Sequence, residues 1–195
     1  MASGLPVTTR LSADAIARRG LVEQAMHGDH DAFGRLAAGA IDRMHAVAWL
    51  ILRDQHDAED AVQEALVRAW RELPRLRDSD RFDAWLRRLL VNACHDVGRR
   101  HRRHAAMRLV ELQVEPAATD GWRAIEDRER LGRAFARLSI DQRTVLTLMH
   151  YVGLTGPEIA AAVGAPLGTV KSRLRYASAA LRAALEADDR VALPA

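Results

Sequence analysis

Residues 57–70 have the sequence DAEDAVQEALVRAW, and the spacing of their side chains sets the fold class. Apolar residues recur at three- and four-residue steps from Ala58 to Leu73, which is the period of one helix face. Acidic residues occupy the first turn, where the helix macrodipole favours negative charge, and Pro74 ends the pattern. Residues 31–53 and the stretch from Phe82 onward show the same period. Because no alternating strand pattern of useful length occurs, the sequence predicts an all-α protein.

Periodicity fades between His104 and Trp122, and residues 116–121 (PAATDG) have the composition of a linker. We therefore predict two small helical domains joined by a flexible acidic linker. The predicted divisions are an N-terminal extension (1–20), a first domain (21–104), the linker (105–125), a second domain (126–186) and a C-terminal tail (187–195).

Composition excludes several classes of protein. The single Cys94 can form neither an internal disulfide nor a Cys-rich zinc site. The longest stretch without Asp, Glu, Lys or Arg is residues 144–157, 14 residues, which is shorter than the roughly 18 that suggest a membrane span. Residues 1–20 contain no continuous apolar core of a secretory signal. We expect a cytoplasmic protein without membrane insertion.

The net charge of +3 conceals segments of opposite sign. Residues 29–67 carry a net charge of −5, residues 68–108 carry +7, and residues 109–129 carry −4. Residues 159–185 contain four cations and no acid. Two basic blocks of this kind indicate two separate contacts with polyanions, although solvated helix faces would account for the charges equally well.

The second domain contains the pattern of a helix-turn-helix. Residues 139–142 (SIDQ) and 155–158 (TGPE) each fit a capping box, and residues 164–166 (GAP) separate a short helix from a longer basic one. At 100° per residue, Ser172 and Tyr176 lie opposite the apolar stripe of the last helix. Polar side chains there suit a DNA major groove; the alternative is an amphipathic helix packed in a bundle.

The first basic block also lies on one helix face. Its members, on and just before the helix that begins at Phe82, are Arg81, Arg88, Asn92, His95, Arg99 and Arg102 or Arg103. Arginine binds phosphates and base edges bidentately. Phe82 and Trp85 are either core residues or platforms for unstacked bases. If a single strand is bound, the loop from Arg75 to Arg81 is the natural place for an extruded base.

Three segments together resemble the bacterial RNA polymerase sigma factors of the extracytoplasmic-function (ECF) group. Residues 57–70 are similar to region two of that family. Residues 82–92 (FDAWLRRLLVN) resemble its helix for promoter melting and −10 recognition, and residues 168–174 (GTVKSRL) resemble the recognition helix of region four. The resemblance covers residues 29–104 and 126–186.

The resemblance implies a dissociable initiation subunit of RNA polymerase with no cofactor, no metal and no catalysis of its own. It implies contacts with the beta-prime clamp coiled coil through Asp57, Glu59, Asp60, Gln63 and Glu64. It implies contacts with the −10 element through Arg77, Asp78, Ser79, Phe82, Trp85, Arg88, Asn92 and Arg99. It implies contacts with the −35 element through Thr169, Lys171, Ser172, Arg173 and Arg175. Further implied partners are the beta flap and an anti-sigma factor, and residues 109–125 would thread toward the RNA exit path.

Other functions remain open at this point. An independent helix-turn-helix regulator that binds duplex DNA would share residues 169–175 but would leave the acidic 57–64 segment without a role. A sigma-like scaffold would bind polymerase without supporting initiation. His56, Asp57 and Asp60 superficially resemble part of a metal-dependent phosphohydrolase, but no distant His/Asp set completes such a site. Cys94 falls near the buried face of its helix, as a small core residue would.

Overall fold

The structure is a computed structural model that describes residues 7–105 and 122–192. Its α-helices are α1 (Val7–Met26), α2 (His30–Leu52), α3 (Gln55–Glu72), α4 (Phe82–Ala105), α5 (Trp122–Ala136), α6 (Ile140–Leu146), α7 (Gly156–Val163) and α8 (Leu167–Ala192). Two 3-10 turns, Leu73–Arg75 and Ser79–Arg81, join α3 to α4, and a π-helical turn, Thr147–Tyr151, extends α6. No strand occurs within the described ranges, and the all-α prediction is confirmed.

Helices α1–α4, here called the N-terminal unit, pack around one hydrophobic cluster. Asp29 caps α2 by accepting the Ala32 N–H at 3.0 Å, and Asp54 caps α3 in the same way. On α3 the buried face is mostly alanine, and these small side chains allow α2 and α4 to pack closely against it. The cluster thereby holds the exposed faces of α3 and α4 in fixed register.

Helices α5–α8, the C-terminal unit, surround a second hydrophobic cluster. Both predicted capping boxes are present, at Ser139 with Gln142 and at Thr155 with Glu158. Gly164 ends α7 in the left-handed region (φ 64°), which glycine adopts without steric cost. The pair α7–α8 is therefore a helix-turn-helix, and its turn lies at the predicted residues 164–166.

The ends of the two predicted domains differ from the helices that the structure shows. Helix α1 crosses the division at 20/21 without a break, and α8 continues past residue 186. The apolar residues of α1 are spread around the helix rather than concentrated on one face. Its sequence therefore lacks the three- and four-residue apolar spacing that predicts a helix. Most of the predicted linker, residues 106–121, lies outside the described residues, and the division into two domains stays a prediction.

The two units pack against each other in this structure through α2 and α4 on one side and α6 and α7 on the other. Val91 of α4 is 1% exposed and belongs to the cluster of the C-terminal unit. Gly98 lies so close to Ile140 that an added Cβ would overlap the Ile140 Cδ1. The buried Arg143 of α6 donates from its Nε to the Ile51 carbonyl at the end of α2, at 2.5 Å.

Candidate functional site

The structure divides the five residues of α3 that are predicted to contact polymerase into two groups. Asp60 and Gln63 are exposed, whereas Glu59 is partly exposed and accepts a hydrogen bond from Gln55 at 3.0 Å. Asp57 and Glu64 are mostly covered, with side chains 16% and 29% exposed. Only the first group presents its polar atoms outward.

Asp57 and Glu64 hold α3 to the C-terminal part of α4. His101 contacts Asp57; burial raises the pKa of the Asp57 carboxyl, and the interaction with His101 opposes that shift. Glu64 accepts from Arg100 at 2.7 Å and also pairs with Arg68. Burial alone would raise the pKa of Glu64, but the hydrogen bonds from these two arginines outweigh it and lower that pKa.

The outward face of α4 carries Arg88, Asn92 and Arg99, all exposed. Arg99 also pairs with Asp96 on the same helix. Phe82 is only 2% exposed and packs inside the N-terminal unit, with its ring centroid 5.9 Å from that of the partly buried Trp85. Phe82 is therefore a core residue in this structure rather than an exposed platform for an unstacked base.

His95, which the helical wheel places on the same outward face, is turned toward α6. Its Nε2 lies 3.1 Å from the Thr144 hydroxyl, and its Nδ1 lies 3.4 Å from Asp141. The contact between the units therefore runs directly alongside the row of Arg88, Asn92 and Arg99.

The loop before α4 is held by its own side chains and by a contact with α1. Asp78 accepts the backbone N–H of Asp80 at 3.0 Å and pairs with Arg81 at 3.3 Å. Arg77 is exposed. The Ser79 hydroxyl donates to Glu23 of α1 at 3.3 Å. The Asp78 carboxylate therefore stabilises the turn, and Arg77 and Ser79 lie at the surface of the turn.

On α8, Lys171 and Arg175 are exposed, and the Arg175 guanidinium lies 4.9 Å from the ring centroid of the exposed Tyr176. The Ser172 hydroxyl donates to the Thr169 carbonyl at 2.9 Å, within the first turns of the helix. Arg173 is partly covered, and its guanidinium lies 3.8 Å from Asp141 of α6.

Sequence reasoning missed two sets of residues. The first is the ion-pair network of Arg68, Asp96 and Arg100, whose members lie up to 36 residues from their partners. The second is the contact of α1 with the loop before α4. Pairing across such separations leaves no local pattern, so the segment charges were the only available signal.

Comparisons with known proteins match both halves of this arrangement. A family model for sigma-70 region 2 matches residues 40–104, and one for sigma-70 region 4 matches residues 128–181. The chain is 34% identical over 154 residues to the ECF RNA polymerase sigma factor SigM of Mycobacterium tuberculosis, covering 79% of this chain and 77% of that protein. The chain belongs to the ECF sigma factor family. The resemblance seen in the sequence is confirmed.

Other relatives agree. The chain is 31% identical to the ECF RNA polymerase sigma-E factor of Escherichia coli, covering 83% of this chain and 90% of that protein. Among solved structures, CnrH in complex with the cytosolic domain of CnrY matches with a TM-score of 0.61 and 31% identity, covering 88% of this chain and 99% of that one. The sigma factor RpoE of Bartonella quintana, in complex with the anti-sigma factor NepR, matches with a TM-score of 0.65 and 26% identity, covering 80% and 98%.

This ECF sigma factor is an initiation factor that binds RNA polymerase and promoter DNA. Within the described ranges, no helix is both long enough and apolar enough to cross a membrane.

Proposed function

We propose that this sigma factor binds the beta-prime clamp coiled coil of core polymerase through the exposed part of α3. Asp60 and Gln63, with Glu59 beside them, present carboxylate and amide groups that are not drawn into the contact with α4. Asp57 and Glu64 act indirectly, because they fix the orientation of α3 through His101 and Arg100.

The −10 element, in this proposal, is bound by the row of Arg88, Asn92 and Arg99 together with the neighbouring loop. The observation that carries the proposal is that all three side chains are exposed on one face of α4. Arginines at this spacing can follow a phosphate backbone. Arg77 and Ser79 lie in the loop just before the same helix, where a separated base can be held. Trp85, partly buried, is placed to line that site from the helix side.

The −35 element is bound by α8, with Lys171 and Arg175 as the exposed cations. Arg173 reaches DNA by exchanging Asp141 for a phosphate or a base edge, and Thr169 and Ser172 shape the first turns. The beta flap is a second contact on polymerase. The factor supplies no catalytic group of its own and acts in the cytoplasm with polymerase. An anti-sigma factor holds it inactive, by analogy with the partners of the structural relatives.

Run-off transcription tests the proposal directly. Core polymerase with this protein should initiate on a subset of a genomic promoter library that core alone ignores. Asp60→Lys should weaken core binding at least tenfold without loss of fold. Glu72→Lys is the matched control, because Glu72 is an exposed acid at the other end of α3. Equal core binding by both variants would overturn the assignment of α3, and tight binding to a palindromic duplex without polymerase would favour an independent regulator.

A further inference from the structure

Helix α1 makes a row of contacts with the loop before α4 and with the start of that helix. The pairs join residues 56 to 65 positions apart in the sequence, and are Arg18 with Asp83 at 2.5 Å, Arg19 with Asp80 at 3.4 Å and Glu23 with Ser79 at 3.3 Å. The Arg18 guanidinium also lies 5.9 Å from the ring centroid of Phe82. All of these contacts fall on residues 79–83.

The face of α1 that makes these contacts is firmly attached to the N-terminal unit. Val22 and Ala25, each 1% exposed, are buried in its hydrophobic cluster. Arg19 holds Glu23 as well, because its Nε donates at 3.0 Å to Oε1, the same carboxylate oxygen that accepts from Ser79. That hydrogen bond is the main reason the pKa of Glu23 is lowered, so the acceptor facing Ser79 is an ionised carboxylate.

The Ser79 hydroxyl has one proton to donate and two lone pairs with which to accept. By taking that proton, Glu23 fixes the rotation of the hydroxyl and leaves its lone pairs directed away from α1. A hydroxyl fixed in this way presents an acceptor to an N–H group of a nucleobase without paying for its own ordering when the base arrives. The neighbours of Ser79 are held as well, since Asp78 accepts the backbone N–H of Asp80 and the Asp80 carboxylate pairs with Arg19.

We propose that Glu23 is a positioning residue for recognition of the −10 strand, and that it acts by orienting the Ser79 hydroxyl toward a separated base. The inference rests on the proposed function of the loop and deepens it, since it names the group that sets base preference. It also gives a role to the helix that the sequence left unassigned.

The contacts are exposed, and exposed ion pairs contribute little to stability. The expected effect of losing Glu23 is therefore on base selection rather than on folding. A purely structural role predicts the opposite: a lower midpoint of unfolding with unchanged base preference.

The test uses polymerase holoenzyme formed with the full chain and single-stranded −10 oligonucleotides that vary at each position. Glu23→Ala should reduce discrimination at one position about fivefold, the loss expected for a single hydrogen bond. Ser79→Ala should reduce discrimination at the same position. The double variant should be no worse than Ser79→Ala, because Glu23 acts through that hydroxyl. Glu129→Ala is the matched control, since it removes an exposed helical ion pair with Arg133 in the C-terminal unit.

Two results would overturn the inference. One is an unchanged base preference in Glu23→Ala while Ser79→Ala loses it; the other is fully additive losses in the double variant. A failure of the proposed function looks different, because then the holoenzyme would show no base preference at any position of the oligonucleotide, whether or not Glu23 is present.

Discussion

Replacing Arg143 with alanine should loosen the contact between the two units. Its side chain is 8% exposed and donates to three backbone carbonyls, of Ile51, Ala136 and Leu138. The Ile51 carbonyl lies in the last turn of α2, where no intrahelical N–H is available to it. Since a hydrogen bond from a charged donor contributes about 1.5–3 kcal/mol and such terms do not add fully, we expect the free energy of unfolding to fall by about 3 kcal/mol.

Of these three hydrogen bonds, the one to Ile51 crosses between the two units, so its share acts on their docking. A loss of about 1.5 kcal/mol shifts the docking equilibrium roughly tenfold toward separated units. Urea denaturation followed by tryptophan fluorescence measures the first effect; Trp49, whose ring lies 4.0 Å from the Arg53 guanidinium near the end of α2, is a local reporter. Small-angle X-ray scattering measures the second as an increase in radius of gyration.

Arg137→Ala provides the control for the Arg143 experiment. Arg137 is exposed, and its hydrogen bond to the Ala184 carbonyl is long, at 3.5 Å, so its truncation should change stability by less than about 0.5 kcal/mol. Arg143→Lys should fall between wild type and Arg143→Ala, because one ammonium cannot reproduce the planar guanidinium fork. If Arg143→Ala matched wild type in both urea midpoint and radius of gyration, the reasoning would be refuted.

Three further changes have clear expected outcomes. The free energy of unfolding should decline as pH falls below about 4.5, because the lowered pKa of Glu64 contributes stability that is lost on protonation. In a series of urea melts at different pH, Glu64→Gln should make this decline less steep. The same pH dependence in wild type and variant would contradict the expectation. Gly98→Ala should raise the radius of gyration by pushing Ile140 away, while the gain in helix propensity keeps the N-terminal unit as stable as before in thermal melts. Cys94, fully buried with its thiol pKa raised to about 12, should resist iodoacetamide at pH 8 until urea unfolds the chain; rapid labelling of the native protein, detected by mass spectrometry, would show otherwise.

Features set by neighbouring residues could be predicted from the sequence. The capping boxes at Ser139 and Thr155, the helix break that begins at Gly164 and the helical period of α3 depend on side chains within four positions of one another, and all are present. Likewise, the exposed row from Arg88 to Arg99 follows from the apolar face of α4, because burying one face of a helix exposes the other.

The rest depended on long-range packing. Nothing near Arg143 in the sequence indicates that it would bind the Ile51 carbonyl 92 residues away. A helical wheel places His95 beside Asn92 but cannot show that α6 would cover it. Glu64 lies on α3 and is acidic, as a residue that docks on polymerase should be, yet its carboxylate is paired with Arg68 and Arg100. In each case a second element decides which polar groups face outward.

Ion pairs on and around α3 and α4 reduce the number of arginines whose charge is free of a carboxylate partner. Residues 68–108 contain 12 arginines. Among those whose side chains the structure describes, four are paired with carboxylates, namely Arg68, Arg81, Arg99 and Arg100. An arginine that leaves a carboxylate for a phosphate exposes an anion that recruits a cation from solution, so it contributes little net counterion release. For single-stranded DNA, the logarithm of the binding constant falls with the logarithm of salt concentration, with a slope of about −0.7 per phosphate neutralised. The slope measured for this protein will therefore correspond to fewer phosphate contacts than its number of arginines suggests. Promoter complexes will persist at ionic strengths that the basic composition alone would not predict.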